Sequence, residues 1–229
     1  MPEISLTDFV DFVSISGSAR LTRVRDILDR GEYDPIRDFW RELRNGLVTW
    51  HASGVADRRN IEELLNGVPE LKLEHYRSAI EGYRKFLGRK SVTWFEPPRV
   101  VWTHGAMNIR INPEIGLELN GEKHIIKLHF KSRPISKRKV ECILLLMEDA
   151  MRSKVAPDVH FSVLDVWKGR LLTSNQPRWN LRPYLIGEAQ AFTTMWTELQ
   201  DMRAVAARTL WGPQAGALRL SEPPAQMLG

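Results

Sequence analysis

The sequence predicts a mixed α/β (α+β) chain: a central mixed sheet with two β-hairpins, a helical layer before it and a long helix after it. Three observations carry this. The first ninety residues show helical periodicity. Residues 94–173 turn to period-two alternation around one apolar helix, and residues 183–210 return to a helical stripe. At 229 residues, 43% hydrophobic and 27% charged, the chain is long enough for one sizeable core, and a single domain is expected over residues 1–211.

The elements follow in order. Ser5 precedes Leu6, Phe9, Val10 and Val13, with Asp8 three residues on in a capping-box-like position. Asp34-Pro35 sets a cap before a proline at the first helical position, and Ile36, Phe39, Trp40, Leu43, Leu47 and Trp50 fall on one stripe. Gly46 lies inside that stripe, and Gly54 is a later stop. Ile61, Leu64 and Leu65 mark a short helix closed by Gly67. Residues 70–87 form a stronger helix, with Leu73, Tyr76, Ile80, Tyr83 and Leu87 inward, Gly88 as terminator, and Glu74, Arg77, Glu81 and Arg84 on a solvated face.

Pro97-Pro98 stops any helix and leads into the β-rich run Arg99–Thr103, which His104-Gly105-Ala106 turns back. Residues 108–119 and 122–131 then read as one hairpin around Asn120-Gly121, a type I′ turn. That turn opposes Leu117 to His124, Ile115 to Ile126, Pro113 to Leu128 and Ile111 to Phe130 on a core face. Glu118 meets Lys123, Glu114 meets Lys127, Asn112 meets His129 and Arg110 meets Lys131 on a wet one. Ser136 caps a helix running to about Arg152, whose breadth of apolar residues places it across a sheet. A second hairpin, residues 158–167 and 170–173, turns at Lys168-Gly169. The last helix spans about 183–210 on Ala189, Phe192, Trp196 and Leu199, and residues 212–229 are expected to be a disordered tail.

Several function classes drop out. One cysteine, Cys142, excludes a disulfide framework and a multi-thiolate zinc site. There is no membrane-spanning apolar run and no leader pattern, so a soluble, cytoplasmic chain is expected, with no membrane partner. No phosphate-binding glycine loop, dinucleotide fingerprint or nucleophile elbow is present. The six histidines show no metal-ligand spacing, His124 and His129 pointing to opposite sides of their strand.

The order helix, strand, hairpin, buried helix, strand, strand over residues 70–173 resembles the core of the PD-(D/E)XK nuclease-like superfamily. Gly116-Leu117-Glu118 is similar to that family's second-strand signature. On the third strand, His124-Ile-Ile-Lys-Leu-His-Phe-Lys131 has Lys127 where the family carries an acid and His129 where it carries a lysine. The resemblance implies a Mg²⁺-dependent nuclease only if a non-standard set serves: Glu114 and Glu118 as metal ligands, Glu81 from the preceding helix, and Lys127 beside them. The sequence departs from the family at the third-strand acid, so a catalytically degenerate scaffold that binds DNA or RNA is expected first.

The formal charge of +5 has an address. Lys123, Lys127, Lys131, Arg133, Lys137, Arg138 and Lys139 lie within residues 123–140, which hold no acid before Glu141. Cations in the first turn of a helix oppose its dipole, and a sequence that keeps them there is suited to hold an anion. Lys127, His129, Lys131, Arg133, Lys137, Arg138 and Lys139 are the candidate phosphate contacts. Against this stand cross-strand ion pairs on a wet sheet face, each worth about 0.2–1 kcal/mol. A third reading is a non-catalytic protein that binds another protein or itself. Of eight tryptophans, Trp40, Trp50, Trp102, Trp167 and Trp196 have core-facing spacings. Trp94, Trp179 and Trp211 sit near element ends, where Trp179 beside Arg178 could anchor a partner.

Overall fold

The structure, a computed structural model, describes residues 1–30, 38–54, 60–173 and 179–211, the last two without their side chains. Its strands are β1 (Glu3–Ser5), β2 (Val92–Phe95), β3 (Val100–His104), β4 (Met107–Ile111), β5 (Ile115–Leu119), β6 (Glu122–His129), β7 (His160–Asp165) and β8 (Arg170–Thr173). Its helices are α1 (Leu6–Val13), α2 (Ser18–Arg30), α3 (Arg41–Ala52), α4 (Glu70–Leu87), α5 (Lys137–Met151) and α6 (Arg182–Trp211). The expected cap at Asp34-Pro35, the side chain of Trp211 and the tail 212–229 lie outside the described residues.

A five-stranded mixed sheet runs β2-β5-β6-β7-β8, antiparallel except for the parallel pair β6–β7, which α5 connects. The Asn120-Gly121 turn holds as read. Both residues have positive φ, 53° and 93°, and Leu117 opposes His124 while Ile115 opposes Ile126.

The long hairpin, however, ends at residue 115. Residues 107–111 leave the sheet and form a second, three-stranded one of order β1-β4-β3, with Ile111 opposite Val100 rather than Phe130. The expected pairs Pro113–Leu128, Asn112–His129 and Arg110–Lys131 are therefore not part of the ladder. Pro113 has no N–H to donate, and the last backbone–backbone bond to β6 is Glu114 N donating to the Ile126 carbonyl at 3.2 Å. Beyond it the chain pairs with β3 through the tight turn at Gly105, and with β1 in parallel.

The second hairpin also differs. Asp165 pairs with Arg170, so its loop is the four residues 166–169 rather than Lys168-Gly169 alone. Val166 N donates to the His129 carbonyl at 3.0 Å and Trp167 Nε1 to the Phe130 carbonyl at 2.6 Å, which draws both residues toward the end of β6.

Two apolar layers enclose the five-stranded sheet. On one face Leu117, Ile126, Leu128 and Leu164 pack against Leu43 and Leu47 of α3 and Tyr76, Ile80 and Tyr83 of α4. On the other, Ile125, Phe161 and Val163 pack with α1, α5, α6 and the smaller sheet. The face expected to be wet is thus covered along its middle. Polar residues remain only toward its ends: Lys123 and Glu118 at one, Lys127 and His129 at the other.

Local sequence accounts for the helix ends. Ser5 Oγ accepts from Asp8 N at 3.1 Å, and Ser136 Oγ accepts from Lys139 N at 3.3 Å. Helix α4 begins and ends where its stripe predicts, with Gly88 at φ 45°. Gly82 and Gly169 mark a close approach of α4 to the β7–β8 loop. A Cβ on Gly82 would overlap the Val166 carbonyl oxygen, and one on Gly169 would overlap the Gly82 carbonyl oxygen. Helix α6 is buried at Leu185, Ala189, Phe192 and Leu199, and every residue from Gln200 to Thr209 is exposed.

Candidate anion-binding site at the β6–α5 turn

Of the cations singled out in the sequence, Lys123 lies at the start of β6, while the others gather where β6 ends and α5 begins, and most of them are engaged there. The Lys127 ammonium pairs with the Glu114 carboxylate, and both side chains are largely buried. The second oxygen of Glu114 accepts from Leu128 N at 2.8 Å. This carboxylate therefore closes the break between β4 and β5 and neutralises the lysine.

Lys131 and Lys139 each reach Asp11 of α1 at 2.8 Å. Burial alone would raise the Asp11 carboxyl, but the two ammonium groups hold it below its ordinary value. Arg23 of α2 lies 2.9 Å from Asp8 and 3.6 Å from Asp11, and Arg30 lies 2.9 Å from Asp8. The Arg138 guanidinium stacks 4.4 Å from the Tyr184 ring centroid. Arg133 and Lys137 are exposed and in no ion pair among the described residues.

His129 is half-buried, and its Nε2 meets the Arg133 carbonyl at 3.3 Å. Burial lowers its pKa first and Lys131 and Lys139 add to this, while the Arg133 carbonyl and Asp165 push back. The lowered pKa favours the neutral imidazole, so His129 adds little charge to the patch. Asp165, opposite His129 in register and 4% exposed, is a buried carboxylate the sequence reading did not single out. Asp8 stands out in the sequence only as a capping residue, and Asp11, Arg23 and Arg30 do not stand out. Asp8 and Asp11 were legible as a polar edge of α1, but their partners lie far along the chain.

The net result is a basic face. Arg23, Arg30, Lys131, Arg133, Lys137, Arg138 and Lys139 stand against Asp8, Asp11 and Glu141 around the N-terminus of a fifteen-residue helix. Backbone N–H groups there add to the attraction for an anion.

The carboxylates that a Mg²⁺ site would need do not come together. Glu81 is exposed on α4, across the apolar layer from the sheet face that carries Glu118. Glu118 faces Thr93 and Lys123 in register, without an ion pair to that lysine. Glu114 is committed to Lys127 and Leu128 N. Among the described residues, no group of three or more His, Cys, Asp or Glu is placed to hold a metal ion. The donor set does not fit the metal that the family resemblance implies.

Of the tryptophans outside the stripes, Trp94 lies on β2 against the α3–α4 layer, and Trp179 is 48% exposed. Arg178 lies outside the described residues. No helix among the described residues is long and apolar enough to cross a membrane. No family model, no curated protein and no solved structure matches the chain.

Proposed function

We propose that the chain is a nucleic-acid-associated protein that holds phosphate at the β6–α5 turn, on a scaffold resembling the PD-(D/E)XK nuclease-like superfamily and without that family's metal centre. The carrying observation is the charge excess at one helix N-terminus. Arg133, Lys137 and Arg138 face solvent there, and among the described residues the four cations behind them share only Asp8 and Asp11. The strand order β2-β5-β6-β7, with α5 crossing between the parallel pair, supports the scaffold. Phosphates laid along this face would meet exposed cations first and release counterions.

The test is fluorescence anisotropy with labelled single- and double-stranded DNA and RNA over a salt series. Binding at low salt that falls steeply with added salt is expected. Replacing Arg133, Lys137 and Arg138 by alanine is expected to flatten the log–log salt slope by about 3. Absence of binding to all four probes at low salt overturns the reading.

A second reading rests on α6. Its distal half exposes Met202 (67%) and Val205 (57%), which suits a partner protein or a second copy of this chain. Light scattering over a concentration series separates it, since self-association raises the mass and nucleic-acid binding alone does not.

A further inference from the structure

At the other end of β6, about 25 Å from the basic turn by the rise of the strand, an open groove of about 700 Å³ lies between the β2–β3 connection and the segment that leads from α5 to β7. Its lining includes three cations from three separate parts of the chain: Arg99, Lys123 and Lys154. All three are exposed, and none is in an ion pair among the described residues. Glu96 is the one carboxylate in the lining. This contrasts with the basic turn, where Lys127, Lys131 and Lys139 are each spent on a carboxylate.

The rest of the lining is apolar, with Phe95, Pro98 and Val155 among it. Both walls are stiff. On one side Pro97-Pro98 fixes the backbone just before Arg99. On the other, Arg152 donates to the carbonyls of Ala156, Pro157 and Val159 at 3.3, 3.2 and 3.0 Å and pairs with Glu148. That clamp sets the loop carrying Lys154 and Val155.

We infer that this groove binds a nucleotide-sized phosphate ester. The phosphate sits among Arg99, Lys123 and Lys154, and the planar, apolar part lies on Phe95, Pro98 and Val155. The volume fits such a ligand, and the charge balance calls for an anion. The site shares no residue with the proposed phosphate contacts at the basic turn, so it stands or falls separately. The same chemistry has two sources, a free nucleotide or the phosphorylated end of a nucleic-acid strand.

Calorimetric titration of the full chain with adenosine monophosphate, adenosine, and a short oligothymidylate with and without a 5′-phosphate tests it. Wild type is expected to bind the phosphorylated member of at least one pair more tightly than its unphosphorylated twin. Lys123→Glu and Lys154→Glu, both at exposed positions, are each expected to weaken that binding about tenfold or more. Circular dichroism confirms that each remains folded. Preference for the monophosphate identifies a free nucleotide, and preference for the phosphorylated strand alone identifies a strand end. If neither phosphorylated probe is preferred, or both charge reversals leave the preference unchanged, the inference is overturned. Strand binding lost on replacing Arg133, Lys137 and Arg138 but unmoved by the groove variants overturns the groove and keeps the basic turn.

Discussion

The Lys139 ammonium lies 2.8 Å from an Asp11 carboxylate oxygen, so the first turn of α5 is tied to a helix that precedes it by more than a hundred residues. Lys131 reaches the other oxygen of the same carboxylate. Asp11 thus sets how much of the charge on the β6–α5 turn is available outside.

Asp11→Asn is expected to raise nucleic-acid affinity about threefold to tenfold and steepen its salt dependence, because two lysines lose their counter-charge. Anisotropy titrations at matched salt read this out. The same change costs stability, about 1 kcal/mol for partly exposed pairs. Since the native Asp11 carboxyl is held below its ordinary value, its contribution is full above that value and is lost as pH falls through the native one.

Glu114→Ala removes the counter-charge of the Lys127 ammonium and leaves Leu128 N without its acceptor in a largely buried setting. A loss of about 2–4 kcal/mol in urea unfolding is expected. Adding Lys127→Met to that variant is expected to recover part of it. A Glu114→Ala chain as stable as wild type would show that the pair does not hold the β4–β5 break.

Gly82→Ala places a methyl group on the Val166 carbonyl oxygen and 2.7 Å from that of Trp167. Backbone must move, and a loss of more than about 3 kcal/mol is expected by thermal or urea unfolding. Gly187→Ala in α6 is the control. Nothing lies within 4 Å of its Cβ position, and a gain of up to about 1 kcal/mol is expected from helix propensity.

His51 is 3% exposed, its Nε2 lies 2.7 Å from the Tyr83 hydroxyl, and burial pushes its pKa down to about 4. Between about 4 and 6.5 the unfolded chain binds a proton that the folded one refuses. Stability therefore falls as pH drops through that window, by up to about 3 kcal/mol from this group. His124 and His129 are lowered too and act in the same direction. His51→Gln is expected to flatten the pH dependence of the urea midpoint, leaving the slope due to those two.

What the sequence reveals follows from how local each cause is. Helix α4, the Asn120-Gly121 turn and the caps at Ser5 and Ser136 each depend on residues within a few positions, and each is found where the pattern places it. The departure of β4 is not local. Alternation runs through Pro113 without a fault, and it says which side of a strand is apolar but not which strand lies next to it. Strand β1 has three residues and no period to detect. The basic turn has the same limit: its cations are plain in the sequence, but Asp11, Asp8 and Glu114 become their partners only when distant segments meet. The groove is less legible still, since Arg99, Lys123 and Lys154 share no motif.

The pairing of β1 with β4 bears on the order in which the molecule can assemble. Glu3 meets Asn108, a partner 105 positions further on, and Asn108 N also donates to the Pro2 carbonyl at 3.0 Å. As the chain emerges from the ribosome, β1 lacks its ladder partner until β4 appears. Helices α1 to α4 lie between them and can form early from local contacts. The small sheet then closes late, with the entropy of a long loop to overcome. Kinetic probes in β1 and β4 should thus report the slowest folding phase, after α4 has reached native helicity.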